Sequence, residues 1–130
     1  MSRRTVLVVD DDHGIADGVR LRLRSAGYET LVASDGMDGI AAAIEHQPDV
    51  VLMDVRMPNM DGLAALETLR IDGQTRHIPV IMLSASLRDQ ETALEAGAQF
   101  FLTKPYRSHD LLAAIECALD NDRQLRETAK

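Results

Sequence analysis

Thr5-Val6-Leu7-Val8-Val9-Asp10-Asp11-Asp12 is the stretch that decides the fold. An unbroken apolar, largely β-branched run from Thr5 to Val9 predicts a strand buried on both faces, because a strand with one wet face would alternate apolar and polar residues. The run then ends abruptly in three acids. Beyond them, Ile15, Val19, Leu23 and Ala26 recur at spacings of four, four and three, one face of a helix over Ile15 to Ala26, with Gly27 suited to its C-terminal cap. Strand, acids, helix is the unit.

The same unit recurs outward from it. Tyr28 to Ala33 leads to a helix over Met37 to Glu45, and Val50 to Met53 leads to one over Gly62 to Ile71. Val80 to Leu83 precedes Gln90 to Ala96, and Phe100 to Thr103 precedes a last helix opened by Ser108 as N-cap, with Asp110 in the first turn. Five βα units in 130 residues predict an α/β fold around a parallel sheet, with tight loops and no room for a second domain. After Leu119 the sequence turns polar, so residues 1–120 are expected to form the domain and 121–130 a polar helical extension or the start of a linker.

Composition narrows the function. With 45% hydrophobic residues the chain can bury a core, and 14 Lys and Arg against 21 Asp and Glu give a formal net charge of −7. That balance argues against direct nucleic-acid binding, whose sequence-independent affinity comes from clustered cations on phosphates. A single cysteine, Cys117, excludes a disulfide within the chain and a cysteine zinc site. The leading apolar run stops at Asp10, too short for a signal-peptide core and far short of the roughly 20 residues that span a bilayer, so no membrane contact and a cytoplasmic location are expected.

In open parallel sheets, ligands bind beyond the carboxyl ends of the strands. Asp10, Asp11 and Asp12 follow the first apolar run, Asp54 the third, Ser84 the fourth, and Lys104 with Pro105 the fifth. One pocket collects them. Three carboxylates there repel one another unless a cation sits among them, and oxygen donors with room for phosphate oxygens suit Mg2+. Lys104 and the Ser84 hydroxyl can both meet a phosphoryl oxygen. Phosphoryl transfer follows, with Asp54 the candidate nucleophile at the end of the central strand and the adjacent Asp10 and Asp11 placed to hold metal.

Val8 to Asp12, Val51 to Gly62 (VLMDVRMPNMDG), Ile81 to Ala85 (IMLSA) and Leu102 to Tyr106 (LTKPY) resemble, in order and spacing, the receiver domain of two-component response regulators, of the chemotaxis-regulator type. The resemblance spans about Arg4 to Leu119 and implies a flavodoxin-like, doubly wound (βα)5 fold with a five-stranded parallel sheet in the order 2-1-3-4-5. It also implies phosphorylation at Asp54, with Mg2+ held by Asp11, Asp54 and the Arg56 backbone carbonyl, and by Asp10 through water. Ser84 takes the position of the switch hydroxyl and Lys104 that of the invariant lysine, whose bond to Pro105 is often cis in the family. Phe101 stands at the switch-aromatic position, where Phe lacks the hydroxyl of the commoner Tyr. Arg56 and Ser86, two residues beyond Asp54 and Ser84, would flank the path of water to the phosphorus.

The implied function is a signalling module rather than an enzyme: a sensor histidine kinase or histidine phosphotransfer protein donates the phosphoryl group, and only self-phosphorylation and autodephosphorylation occur. Its output is a rearranged surface of the fourth helix, fifth strand and fifth helix, read by an effector or through a phosphorylation-dependent homodimer. Plainer roles stand beside these. Asp12 reads as a helix cap, His13, His46, His77 and His109 as structural, and Met53, Met57, Met60 and Met82 as packing. The competing enzyme reading is a small aspartate-nucleophile phosphatase of the haloacid dehalogenase type, in which Asp10 would attack. That family follows its nucleophile with a pattern that His13-Gly14 breaks, and the later acids, Asp120 and Asp122, lie in the polar tail. A flavin module of the same fold would need a phosphate-binding loop that the sequence lacks.

Overall fold

A computed structural model describes residues 3–128 of the chain, with side chains for residues 3–120. Five strands alternate with five helices: β1 (Thr5–Val9), α1 (His13–Ser25), β2 (Glu29–Ala33), α2 (Gly36–His46), β3 (Val50–Asp54), α3 (Gly62–Ile71), β4 (Val80–Ser84), α4 (Asp89–Glu95), β5 (Phe100–Thr103) and α5 (Ser108–Thr128). All pairings are parallel and the order is β2-β1-β3-β4-β5, which makes β3 central. This is the flavodoxin-like order that the sequence implied.

The pleat explains why the inner strands carry no polar alternation. Successive side chains point to opposite faces, and helices cover both. Leu7, Val9, Val51, Met53, Val80 and Met82 pack towards α2, α3 and α4 with Ala43, Leu66 and Ala93. Val6, Val8, Val50, Leu52, Ile81 and Leu83 face α1 and α5, where Val19, Leu23, Leu111 and Ile115 meet them. Met53 and Met82 are fully buried and Met57 and Met60 pack at the margin, so all four serve as core. The edge strands β2 and β5 are less buried than the three between them.

Two local expectations are corrected. The buried face of α1 runs through Ala16, Val19 and Leu23, while Ile15 is 46% exposed, because the helix starts at His13 and turns Ile15 to the rim of the sheet's carboxyl edge. Ser108 is the first residue of α5 rather than its cap, since the first α-helical hydrogen bond runs from Leu111 N to the Arg107 carbonyl. Asp12 does cap α1, accepting from Ile15 N at 3.0 Å. Gly27 closes that helix with φ +99°, where any other residue would be strained. Asp35 and Asp61 cap α2 and α3 in the same manner as Asp12.

Candidate functional site

Parallel strands bring all their carboxyl ends to one edge, and registers fix what meets there. Val9 pairs with Met53, which sets Asp10 beside Asp54; Asp54 pairs with Leu83, and Ser84 with Thr103, just before Lys104. Carboxylate oxygens of Asp10, Asp11 and Asp54 lie within 4.8 Å of one another. Asp10 and Asp54 are buried and Asp11 is exposed. Asp10 is further fixed by accepting from Asp12 N at 2.9 Å.

Lys104 Nζ stands 2.7 Å from Asp54 Oδ1 as an ion pair. That oxygen is buried, and the ion pair lacks hydrogen-bond geometry, so no hydrogen bond satisfies it. Burial pushes the Asp54 carboxyl up to about 7; Lys104 opposes the rise, and Asp10 adds to it by hydrogen bond and by like charge. Burial acts to lower the Lys104 ammonium, but Asp54 and Asp10 outweigh it and hold that group above its ordinary value. The peptide bond from Lys104 to Pro105 is cis, as the resemblance implied.

A stability signature follows. Asp54 binds its proton more tightly folded, near 7, than at its ordinary value of 3.8, so its contribution is complete below pH 4 and is lost as pH rises through 7. Without divalent cations, urea unfolding across that window should show stability falling with pH. Asp54→Asn should reduce the fall and stand about 1–2 kcal/mol above the parent at pH 8, after allowance for solvent screening. A variant that keeps the parent's slope would show that burial does not penalise this carboxylate.

Ser84 takes a different direction. Its hydroxyl donates to Asp89 Oδ2 at 2.7 Å and accepts from Ser86 N at 3.0 Å. Arg56, on the loop after β3, gives its guanidinium to Asp89 Oδ1 at 3.1 Å. Asp89 is the functional-site neighbour that sequence reasoning missed: an acid in Ser86-Leu87-Arg88-Asp89 reads as a solvated loop residue, yet it is 8% exposed. Phe101 is half-buried on β5 and packs against the cluster shared by β3, β4 and α4. Ile15, Val19, Arg22, Lys104 and Tyr106 line an open cleft of about 360 Å³ between α1 and the segment after β5.

Among the described residues, nothing beside Asp10 supplies the later acid that the phosphatase reading needs. Asp120 lies with Arg4 and Tyr28 by the amino ends of β1 and β2, across the domain from Asp10. Asp122 falls outside the residues whose side chains are described. His13 is exposed at the start of α1.

Residues 6–116 match the family described as the response regulator receiver domain. The chain belongs to that family. It is 36% identical over 127 residues to the DNA-binding dual master transcriptional regulator RpaA of Synechocystis sp., covering 96% of this chain and 53% of RpaA. This receiver chain thus spans about half the length of the curated relatives it matches. Among solved structures, chemotaxis response regulator CheY4 of Vibrio cholerae superposes with a TM-score of 0.85 at 32% identity, covering 91% of this chain and 100% of that one. The receiver domain of the sensor histidine kinase PA1611 from Pseudomonas aeruginosa PAO1 gives 0.84 at 29% identity, covering 92% and 99%, and has a magnesium ion coordinated in its active site cleft. A receiver domain is a phosphoacceptor in two-component signalling.

The residues present fit such an ion. Three clustered carboxylates supply only oxygen donors, and Asp54 Oδ1 is a buried acceptor that no hydrogen bond satisfies. Among the described residues, no helix is long and apolar enough to cross a membrane.

Proposed function

We propose that Asp54 is the phosphoacceptor of this receiver domain and takes its phosphoryl group from a sensor histidine kinase or a histidine phosphotransfer protein. The observation that carries the reading is the position of Asp54: at the end of the central strand, within 4.8 Å of the Asp10 and Asp11 carboxylates and 2.7 Å from Lys104. Asp11, Asp54 and the Arg56 carbonyl would hold Mg2+, and Asp10 would support it through water. Bound there, the ion screens the carboxylates and offsets charge on the phosphoryl oxygens. The chain's own groups do the rest.

Lys104 neutralises one charge on Asp54 and, once the acyl phosphate forms, meets a phosphoryl oxygen instead. Ser84 is placed on the neighbouring strand to donate a second hydrogen bond when its hydroxyl turns inward. The space beside β4 that this turn vacates receives Phe101, which changes the surface of α4, β5 and α5. Arg56 and Ser86 would set the lifetime of the phosphoryl group through access of water. The module catalyses only its own phosphorylation and dephosphorylation. Residues 1–120 form the signalling unit in a cytoplasmic protein, and 121–130 extend it or lead to a linker; effector contact or homodimerisation reads the altered surface.

Incubation with acetyl phosphate and magnesium should add one phosphoryl mass per chain. Chelation should abolish the uptake, and Asp11→Asn should slow it about tenfold or more, because a lost carboxylate ligand weakens a site that has few. Uptake that persists in chelator, or an unchanged rate in Asp11→Asn, would remove the metal from this account.

A further inference from the structure

One hydroxyl carries one proton. Ser84 spends that proton on Asp89 Oδ2 at 2.7 Å, a charge-assisted bond, while its lone pair takes Ser86 N. In this arrangement it cannot also donate to an oxygen on Asp54. Asp89 in turn sits buried at the first position of α4 with two partners, the Ser84 hydroxyl and the Arg56 guanidinium. Arg56 stands two residues beyond Asp54 on the adjoining loop, and its side chain is 71% exposed. The helix held by this contact is short: α4 has seven residues, buries only Asp89 and Ala93, and has no side-chain N-cap.

We infer that Asp89 is a positioning residue that holds the Ser84 hydroxyl away from Asp54 in the resting domain and ties that rotamer to the placement of α4. The inference rests on the phosphoacceptor reading of Asp54. A phosphoryl group there acts on the latch from both ends. Its oxygens compete for the Ser84 proton, and its charge of about −1.5 to −2 draws the exposed Arg56 guanidinium away from Asp89. A buried carboxylate that loses both partners is costly, so the first turn of α4 moves to rehydrate or re-pair it. Breaking the Ser84–Asp89 bond is therefore part of the cost of activation, and removing Asp89 removes that cost.

The sign is testable with beryllofluoride as phosphoryl mimic, titrated in magnesium and followed by amide NMR. Asp89→Ala should bind it about five- to tenfold more tightly than the parent, the equilibrium worth of a charge-assisted hydrogen bond shared between two states. Asp89→Asn keeps the shape and a neutral acceptor, so it should fall between the two and carries the test if the alanine variant does not fold. In a Ser84→Ala background the same Asp89 substitutions should gain less, under about threefold, since the Ser84 bond is already gone and only the Arg56 contact is left to break. In Asp89→Ala without ligand, the Ser86 amide should move towards its ligand-bound position. Equal gains with and without Ser84, or weaker binding in Asp89→Ala, would overturn the inference. A parent chain that fails to bind beryllofluoride would instead overturn the phosphoacceptor reading beneath it; a parent that binds while the Asp89 variants match it sinks the latch alone.

Discussion

Gly62→Ala is expected to lose about 3 kcal/mol of stability, the upper end of the cost of overpacking, because the atom in the way belongs to the backbone. Gly62 opens α3, and its N–H donates to the Val55 carbonyl at 2.7 Å, which draws the helix start against the end of β3. A Cβ added there would overlap the Asp54 carbonyl oxygen and come within 2.9 Å of the Met82 side chain. The methionine can yield, but the carbonyl belongs to the central strand. Relief must come from α3 backing away or from Asp54 shifting, so whatever folds should also take up phosphoryl groups poorly. Gly73 makes the control: a Cβ there meets nothing within 4 Å, and Gly73→Ala should stay within about 0.5 kcal/mol of the parent in urea unfolding. If Gly62→Ala costs less than about 1 kcal/mol, the loop before α3 is looser than this packing implies.

Phosphoryl uptake should fall at least about a hundredfold in Asp54→Asn, since a carboxamide is not a nucleophile towards phosphorus and removal of an attacking group leaves only background reaction. The substitution conserves shape, and by removing a buried charge it should not unfold the domain. Asp10 and Asp11 remain in place in the variant, so residual labelling measures whether either can substitute. Asp10 is buried and engaged with the Asp12 amide, and Asp11 is exposed and lacks an ion pair with Lys104. Neither has the adjacent ammonium that Asp54 has. Under the phosphatase alternative, Asp10→Asn would be the silent variant instead.

The architecture was legible because the inner strands are buried on both faces. Runs such as Thr5 to Val9 and Val80 to Leu83 have no polar alternation, and each ends where the sheet's carboxyl edge meets solvent. Asp10, Asp11, Asp54 and Lys104 were legible for the same reason, standing where an apolar run stops. Helix faces were less so. Ile15, four residues before Val19, fits a helical face as well as Ala16, three before it, and only the true start of α1 decides between them. Asp89 was not legible, because one of its two partners is distant in sequence. Arg56 is 33 residues away, and no local pattern announces that an arginine after one strand will meet the first residue of a helix after the next. The direction of the Ser84 hydroxyl depends on that meeting, so sequence placed the residue but not its rotamer. The bridge from Asn59 Nδ2 to Asp35 Oδ2 at 3.2 Å, which ties the loop before α3 to the start of α2, escaped notice on the same grounds.

Borohydride reduction of the acyl phosphate separates Asp54 from the neighbouring acids. After incubation with acetyl phosphate and magnesium, reduction converts the phosphorylated aspartate to homoserine, and peptide mass spectrometry locates it. The mark is expected on Asp54 alone, in the peptide that contains Met53 and Val55, with none in the Asp54→Asn chain. A mark on Asp10 or Asp11, or no trapped product from a chain that has gained phosphoryl mass, would contradict the assignment of Asp54.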